Sequence, residues 1–243
     1  MPVAVITGAG RGIGRALALE LASHGWATAL AARSEGEIGE TAALIGASAL
    51  AIRADVRDED SVRQLMQRTE RELGPIDLLV NNAGAPGFFG PTWEADSAVW
   101  WEAFETNMRG TFLCCHAALP AMVERRRGRI VNVASGAGQM SIPNMSAYVS
   151  SKAAVIRFTE TLAREVKPHG ISAFSIQPGT IRTRMAETLL ASNAAKYVPF
   201  LADIFKNGQD ETPEKAAALV SYLASGRGDA RSGQFIDASS FVE

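Results

Sequence analysis

The stretch Thr7-Gly8-Ala9-Gly10-Arg11-Gly12-Ile13-Gly14 decides the fold. It follows an apolar strand, Val3–Ile6, and opens a helix over Gly12–His24. The apolar Ile13, Leu17 and Leu21 of that helix share a face before Gly25 stops it. Glycines between a strand and a helix permit a tight turn and let a pyrophosphate approach backbone N–H groups. The helix N-terminus adds a field that favours the anion. The GxGxxG fingerprint fails here, because residues 8, 10 and 13 end on Ile13 and residues 10, 12 and 15 end on Arg15. A phosphate P-loop fails too, for want of Gly-Lys-Ser/Thr. What fits is Thr-Gly-x-x-x-Gly-x-Gly at positions 7, 8, 12 and 14.

Outward from this turn, strands and helices alternate. Thr28–Ala32 reads as a strand, Glu35–Ile45 as a helix, Ser48–Arg53 as a strand, and Ser61–Leu73 as an amphipathic helix ended by Gly74-Pro75. Ile76–Val80 follows as a strand, Ala98–Val123 as one long helix, Arg129–Ala134 as a strand, Ser146–Val166 as a helix and Ile171–Ile176 as a strand. Thr212 as N-cap and Pro213 open a late helix, and Gln234–Asp237 is a last strand. The alternation predicts an α/β fold, a Rossmann-type doubly wound parallel sheet of about seven strands with helices on both faces. The 243 residues suit a single dinucleotide-binding catalytic domain over 1–243. Ile181–Asn207 interrupts the alternation past a strand end, where such folds bind ligands, and reads as an irregular substrate flap.

Composition narrows the function classes. Hydrophobic residues make up 47% and the formal charge is −2, so no general basic signal points to nucleic acid. The densest basic run, Arg125-Arg126-Arg127 before Gly128, reads as cations at a helix C-terminus ahead of a glycine cap. The only cysteines, Cys114 and Cys115, are adjacent. They offer no disulfide framework or metal spacing and suit a reducing, cytoplasmic setting as core helix residues. No secretory leader is visible and no apolar run approaches the ~20 residues of a membrane span.

Two further features carry chemistry. About 20 residues past a dinucleotide turn, an acid suits the ribose 2′-OH of NAD and an Arg the 2′-phosphate of NADP. This chain offers Arg33 and Ser34 there, with Arg11 in the turn, and so favours NADP(H) over NAD(H). Gly8-x-Gly10-x-Gly12 also resembles the first motif of S-adenosylmethionine methyltransferases, but the strand-end acid usual in those is missing. Further on, Tyr148 and Lys152 lie four residues apart and share a face if that stretch is helical. An ammonium beside a phenol favours phenolate, and so predicts a Tyr148 pKa below the reference of about 10.

These residues resemble the short-chain dehydrogenase/reductase family, in its subtype of roughly 250 residues, and within it 3-oxoacyl-carrier-protein reductases. Thr7-Gly8-x-x-x-Gly12-x-Gly14 matches the family's cofactor turn, Asp55-Val56 its adenine pair, and Asn81-Asn82-Ala83-Gly84 the segment after the fourth strand. Asn107, Ser135 and Tyr148-x-x-x-Lys152 match its catalytic tetrad. Pro178-Gly179, with Thr180, Ile181 and Thr183, matches the segment that contacts nicotinamide. The resemblance implies that Tyr148 exchanges a proton with the substrate oxygen and that Ser135 stabilises the developing oxyanion. It gives Lys152 the nicotinamide ribose, and Asn107 a water in a proton relay through the Lys. Gly12, Ile13 and Gly14 would face the phosphates, Asn82 and Gly84 the adenosine ribose, and Thr183 the carboxamide. The tail Asp237-Ala-Ser departs from the family's Asp-Gly-Gly and puts C-terminal subunit contacts in doubt. A homo-oligomer, tetramer or dimer, is implied, with the helices at 98–123 and 146–166 pairing between subunits.

Substrate-side candidates are Phe88, Phe89, Ala137, Gln139, Met140, Ile142, Met145, Gly179 and Met185. Most are apolar, and no cation stands among them to clamp a carboxylate. Arg182 and Arg184 lie close in sequence. The expectation is hydride transfer between NADP(H) and a small-molecule carbonyl or alcohol, a ketone or 3-oxoacyl group, with no metal, nucleic acid or membrane. The alternative is a non-catalytic NADP-binding sensor or interaction module on the same fold.

Overall fold

The computed structural model describes residues 1–242. Seven parallel strands form one sheet in the order β3-β2-β1-β4-β5-β6-β7: β1 Val3–Thr7, β2 Ala27–Ala32, β3 Ala49–Arg53, β4 Ile76–Asn81, β5 Gly128–Val133, β6 Ile171–Gln177 and β7 Phe235–Asp237. The order reverses between β1 and β4, and there the carboxyl ends diverge into a crevice. Strands of such sheets are buried on both faces and read as near-continuous apolar runs. In β1, Ala4 and Ile6 join one core and Val5 the other. One face is packed by α1 (Gly12–Ser23), α2 (Glu35–Ile45) and α9 (Pro213–Ala224), where Leu17, Leu21 and Leu219 bury against Val80, Val131 and Phe174. The other is packed by α3 (Glu59–Glu72), α5 (Gly110–Arg125) and α6 (Ser146–Val166), through Leu65, Leu113 and Leu162. Cys114 and Cys115 are free thiols in this second core, and burial pushes Cys114 up to about 12.

The long helix foreseen over 98–123 is divided. It begins as α4 (Ser97–Phe104), widens into a π-turn over Glu105–Arg109 and continues as α5. Such π-turns arise where side chains compete with the regular ladder. Here Asn107 sits inside it, and the Thr111 hydroxyl donates to the Asn107 carbonyl at 2.7 Å. The helix foreseen from Ser61 starts earlier, at Glu59, because the Asp58 carboxylate caps it by accepting from Ser61 N–H at 2.9 Å. Thr212 stands at the N-cap of α9, but its hydroxyl caps no N–H. The glycine cap expected after Arg125-Arg126-Arg127 is also absent. Arg126 itself takes the left-handed conformation, at φ 52°, and Gly128 begins β5. The run is spent internally: Arg125 donates to Ile76 O, Arg126 to Pro168 O, and Arg127 pairs with Asp77 at 3.1 Å. The segment 181–207 is helical rather than irregular. α7 (Arg184–Leu190) starts from a Thr183 cap and α8 (Pro199–Lys206) from proline at its first turn.

Candidate active site

The crevice is one cleft of about 760 Å³, running from the glycine turn to the segment 181–207. Its floor at one end is the turn between β1 and α1. The Thr7 hydroxyl accepts from Asn82 and Ala83 N–H, each at 3.0 Å. The Asn82 amide donates to Thr7 O and Gly8 O at 2.9 and 3.2 Å. The end of β4 is thereby bolted to the turn. Gly14 is buried, and a Cβ there would strike the Gly8 carbonyl, so this glycine serves close packing and does not face the cleft freely. Gly12 differs: at φ +51° its α-carbon has only the Thr183 side chain near, 3.6 Å from where a Cβ would stand. No side chain caps α1 and its first turn holds no acid. Its leading N–H groups thus open into the cleft, where phosphate oxygens fit.

Along the same rim lie Arg33, Ser34, Asp55 and Val56. Ser34 caps α2, accepting from Glu37 N–H at 3.4 Å, and its own O–H remains a donor. The Arg33 guanidinium is exposed. The Asp55 carboxylate is gripped by Arg57, with Nη2 to Oδ2 at 2.7 Å, and this hydrogen bonding holds it below the usual carboxylate range. Arg57 and Glu37 line the cleft without having been singled out in the sequence.

At the other end, Ser135 leaves β5 and Tyr148 and Lys152 project from α6; all three line the cleft. The Ser135 oxygen accepts from Ala137 N–H at 3.2 Å and caps a 3₁₀ turn over Gly136–Gln139. That turn lies flat on α6. A Cβ at Gly138 would come within 2.7 Å of the Lys152 carbonyl carbon and 2.8 Å of Ala153 N, so Ser135 is held against the Tyr148–Lys152 face by backbone contact. Lys152 is 5% exposed, and its ammonium donates to Val133 O at 2.8 Å.

The electrostatics correct the expectation for Tyr148. Its pKa is raised, chiefly by burial, with the Ser135 hydrogen bond pulling the other way. The Lys152 nitrogen stands over the Tyr148 ring, 5.8 Å from its centroid. Burial likewise lowers Lys152, to about 8. Burial, not the Lys152 charge from which a low value was expected, dominates the Tyr148 shift.

Asn107 does not line the cleft. It is 1% exposed behind it, where Oδ1 accepts from Ala85 N–H at 2.8 Å and Nδ2 donates to Ala85 O at 3.0 Å and Ser151 Oγ at 2.9 Å. Ser151 in turn donates to the Tyr148 carbonyl at 2.8 Å. The Asn107 amide is therefore spent on holding the loop after β4 to α6. Ala83, Gly84, Pro178, Gly179, Ile181 and Thr183 do line the cleft, with Thr183 Oγ also capping α7.

Of the substrate-side candidates, Phe89, Ala137, Met140, Ile142, Met145, Gly179 and Met185 reach the cleft, while Phe88 and Gln139 do not. Phe88 packs over Gly90 instead. The sequence reading missed Pro86, Leu189, Val198, Phe200 and Leu201 as individual lining residues. For Phe200 and Leu201 the amphipathic pattern of Pro199–Lys206 was the signal. Arg182 is held off by Asp210 at 3.5 Å and Phe205 O at 2.9 Å.

A glycine-turn crevice at a sheet reversal, with Ser, Tyr and Lys at its far end, defines a dinucleotide-dependent oxidoreductase. The short chain dehydrogenase family matches residues 2–194, and the chain belongs to that family. A short-chain dehydrogenase/reductase of Armillaria gallica is 36% identical over 247 residues, covering 97% of this chain and 93% of that protein. A 3-oxoacyl-[acyl-carrier-protein] reductase of Synechocystis is 35% identical, covering 91% and 88%. A variant of actinorhodin polyketide ketoreductase, solved with NADPH, superposes with a TM-score of 0.89 at 31% identity, covering 97% of this chain and 95% of that one. Among the described residues no helix is long and apolar enough to cross a membrane.

Proposed function

We propose that this protein transfers hydride between NADP(H) and a neutral carbonyl or alcohol, a ketone or 3-oxoacyl group, with Tyr148 as the proton-exchanging group. The carrying observation is that Ser135, Tyr148 and Lys152 share one cleft with the uncapped, glycine-rich start of α1. The residues present fit the dinucleotide. Gly8, Gly12, Ile13 and Gly14 shape the pyrophosphate turn. Asp55 and Val56 border the adenine side, and Asn82, Ala83 and Gly84 the ribose. Pro178, Gly179, Ile181 and Thr183 border the nicotinamide. Arg11, Arg33 and Ser34 offer two guanidinium groups and a hydroxyl to a 2′-phosphate, in keeping with the NADPH bound to the solved ketoreductase relative. Nicotinamide, when bound, supplies the hydride.

The chain's own groups handle the proton. The Tyr148 phenol is protonated at neutral pH and donates to a carbonyl oxygen as charge develops there, though burial alone makes it a weaker acid. Ser135 donates to the same oxygen and stabilises it. Lys152, whose ammonium lies over the Tyr148 ring and donates to Val133 O, would hold the nicotinamide ribose hydroxyls. Asn107 acts by position, through Ala85 and Ser151. On the substrate side the walls are Phe89, Ile142, Met145, Leu189, Val198 and Phe200, all apolar, so a neutral apolar substrate fits better than a keto acid. The segment 181–207 serves as the flap of a single catalytic domain. Buried, unpaired cysteines suit a cytoplasmic enzyme, and we place it in a homo-oligomer, a tetramer or dimer.

Tyr148→Phe tests the assignment. Binding of NADPH, read by nicotinamide fluorescence, is retained, while ketone reduction falls by about 10²–10⁴. Unchanged turnover eliminates Tyr148 as the acid. A panel of ketones and alcohols scored by NADPH and NADH consumption identifies the substrate and the preferred dinucleotide.

A further inference from the structure

Glu37 occupies an unusual place. Its carboxylate overhangs the glycine turn, and a single oxygen, Oε1, takes two guanidinium groups: Arg11 Nη1 at 3.0 Å and Arg184 Nη1 at 3.1 Å. Arg11 belongs to the phosphate turn and Arg184 opens α7, so one carboxylate ties the flap to the opposite rim. The position is enforced. Glu37 N–H is held by the Ser34 cap, and a Cβ on Gly10 would lie 2.7 Å from Glu37 Cβ, so only glycine lets the acid sit this low. Glu37, Arg11, Arg33 and Arg184 all line the cleft.

The charges at this rim do not balance. Asp55 is matched by Arg57 and Arg15 by Glu40. That leaves Arg11, Arg33 and Arg184 against Glu37 alone, a surplus of two positive charges. A phosphate monoester carries about −1.5 to −2 near neutral pH. Resting on the NADP(H) reading, we propose that Arg184 is a third cation of the 2′-phosphate site, delivered by the flap. Glu37 is the built-in competitor that holds Arg184 and Arg11 together until phosphate displaces it. Arrival of a 2′-phosphate then converts a carboxylate strap into a phosphate strap, and the dinucleotide's adenosine end fixes the flap over the substrate.

Calorimetric titration of the intact protein with 2′,5′-ADP and with 5′-AMP separates the phosphate term from the rest of the nucleotide. Glu37→Gln tightens 2′,5′-ADP by about five-fold at low salt, and Arg184→Gln weakens it by about as much, since each removes one partly exposed charge from a dianion's surroundings. For 5′-AMP both changes stay within about two-fold. Hydrogen exchange of α7 amides without nucleotide is faster in Glu37→Gln, and 2′,5′-ADP slows it in the wild-type chain. Arg184→Gln with unchanged 2′,5′-ADP affinity, or Glu37→Gln with weaker affinity, overturns the proposal while leaving the NADP(H) reading intact. A wild-type chain that binds neither nucleotide overturns both.

Discussion

Replacing Asn107 with Ala removes three buried hydrogen bonds at once. The groups affected most are the N–H and C=O of Ala85, which Asn107 satisfies at 2.8 and 3.0 Å. Ala85 is 8% exposed, so both are left facing the interior. An orphaned buried polar group costs about 1–3 kcal/mol. Ser151 loses less, because its hydroxyl still donates to Tyr148 O. Alanine returns roughly 0.6 kcal/mol of helix propensity. Two such groups less the propensity gain make the net loss about 1.5–5 kcal/mol, a large part of the roughly 5–15 kcal/mol that holds a typical domain together. Equilibrium urea unfolding reads it as a lower midpoint at unchanged slope. Asn107→Asp sharpens the test. The carboxylate keeps the bond from Ala85 N–H but cannot donate to Ala85 O or Ser151, and it buries a charge, so its loss is at least as large. Gly84 backs onto both Asn107 and Lys152, so turnover falls alongside stability in both variants. A change under about 0.5 kcal/mol, the range of an ordinary surface substitution, refutes the claim that these bonds hold the loop.

Lys152 supplies a pH test. Its folded pKa, near 8, lies below the unfolded value of 10.5, so the unfolded chain binds more protons between them. Stability therefore gains from this group as pH rises from about 8 towards 10. Lys152→Met makes the slope of that part of the urea-midpoint profile more negative, since the buried thiols of Cys114 and Cys115 act in the opposite sense, and a parallel profile in the variant removes Lys152 as a contributor. Gly138→Ala drives a methyl into the backbone of Lys152 and Ala153, lowering stability by about 1–3 kcal/mol and turnover with it; normal kinetics in the folded variant dismisses the turn as the support of Ser135. Arg33→Ala raises KM for NADPH about ten-fold and leaves NADH nearly unchanged, a steady-state comparison that equal effects on both would defeat. Phe112 is 45% exposed on α5 and stacks on His116. Phe112→Asp shifts the sedimentation coefficient towards monomer, and a wild-type chain that sediments as monomer at micromolar concentration rules out the assembly.

The sheet was legible because its strands are short apolar runs punctuated by glycine, and the parallel order follows from the intervening helices. The π-turn at Glu105–Arg109 was not. Periodicity reads straight through it, since one extra residue shifts the apolar stripe too little to break an 11–18-residue window. The placement of Ser135, Tyr148 and Lys152 in one cleft could be foreseen from motif order along alternating elements. The electrostatics could not, because a four-residue spacing reports which face two groups share and not how deeply both are sunk. Glu37 escaped for a similar reason: four residues beyond Arg33, the position that selects a dinucleotide, it looked like any acid in a first helical turn. Phe88 was misjudged because adjacent loop residues point in different directions, and only Phe89 turns inward.

The seam between β1 and β4 bears on how the protein is made. Val5 pairs with Leu79 and Ile6 with Val80, so the strand that carries the glycine turn has its inner partner more than seventy residues downstream. During synthesis the Thr7 hydroxyl has no clasp until Asn82 and Ala83 have emerged, and every earlier intermediate presents one bare edge of β1. A nascent chain stalled before that point is open to strand addition from its neighbours, whereas one past it holds both flanking partners of β1.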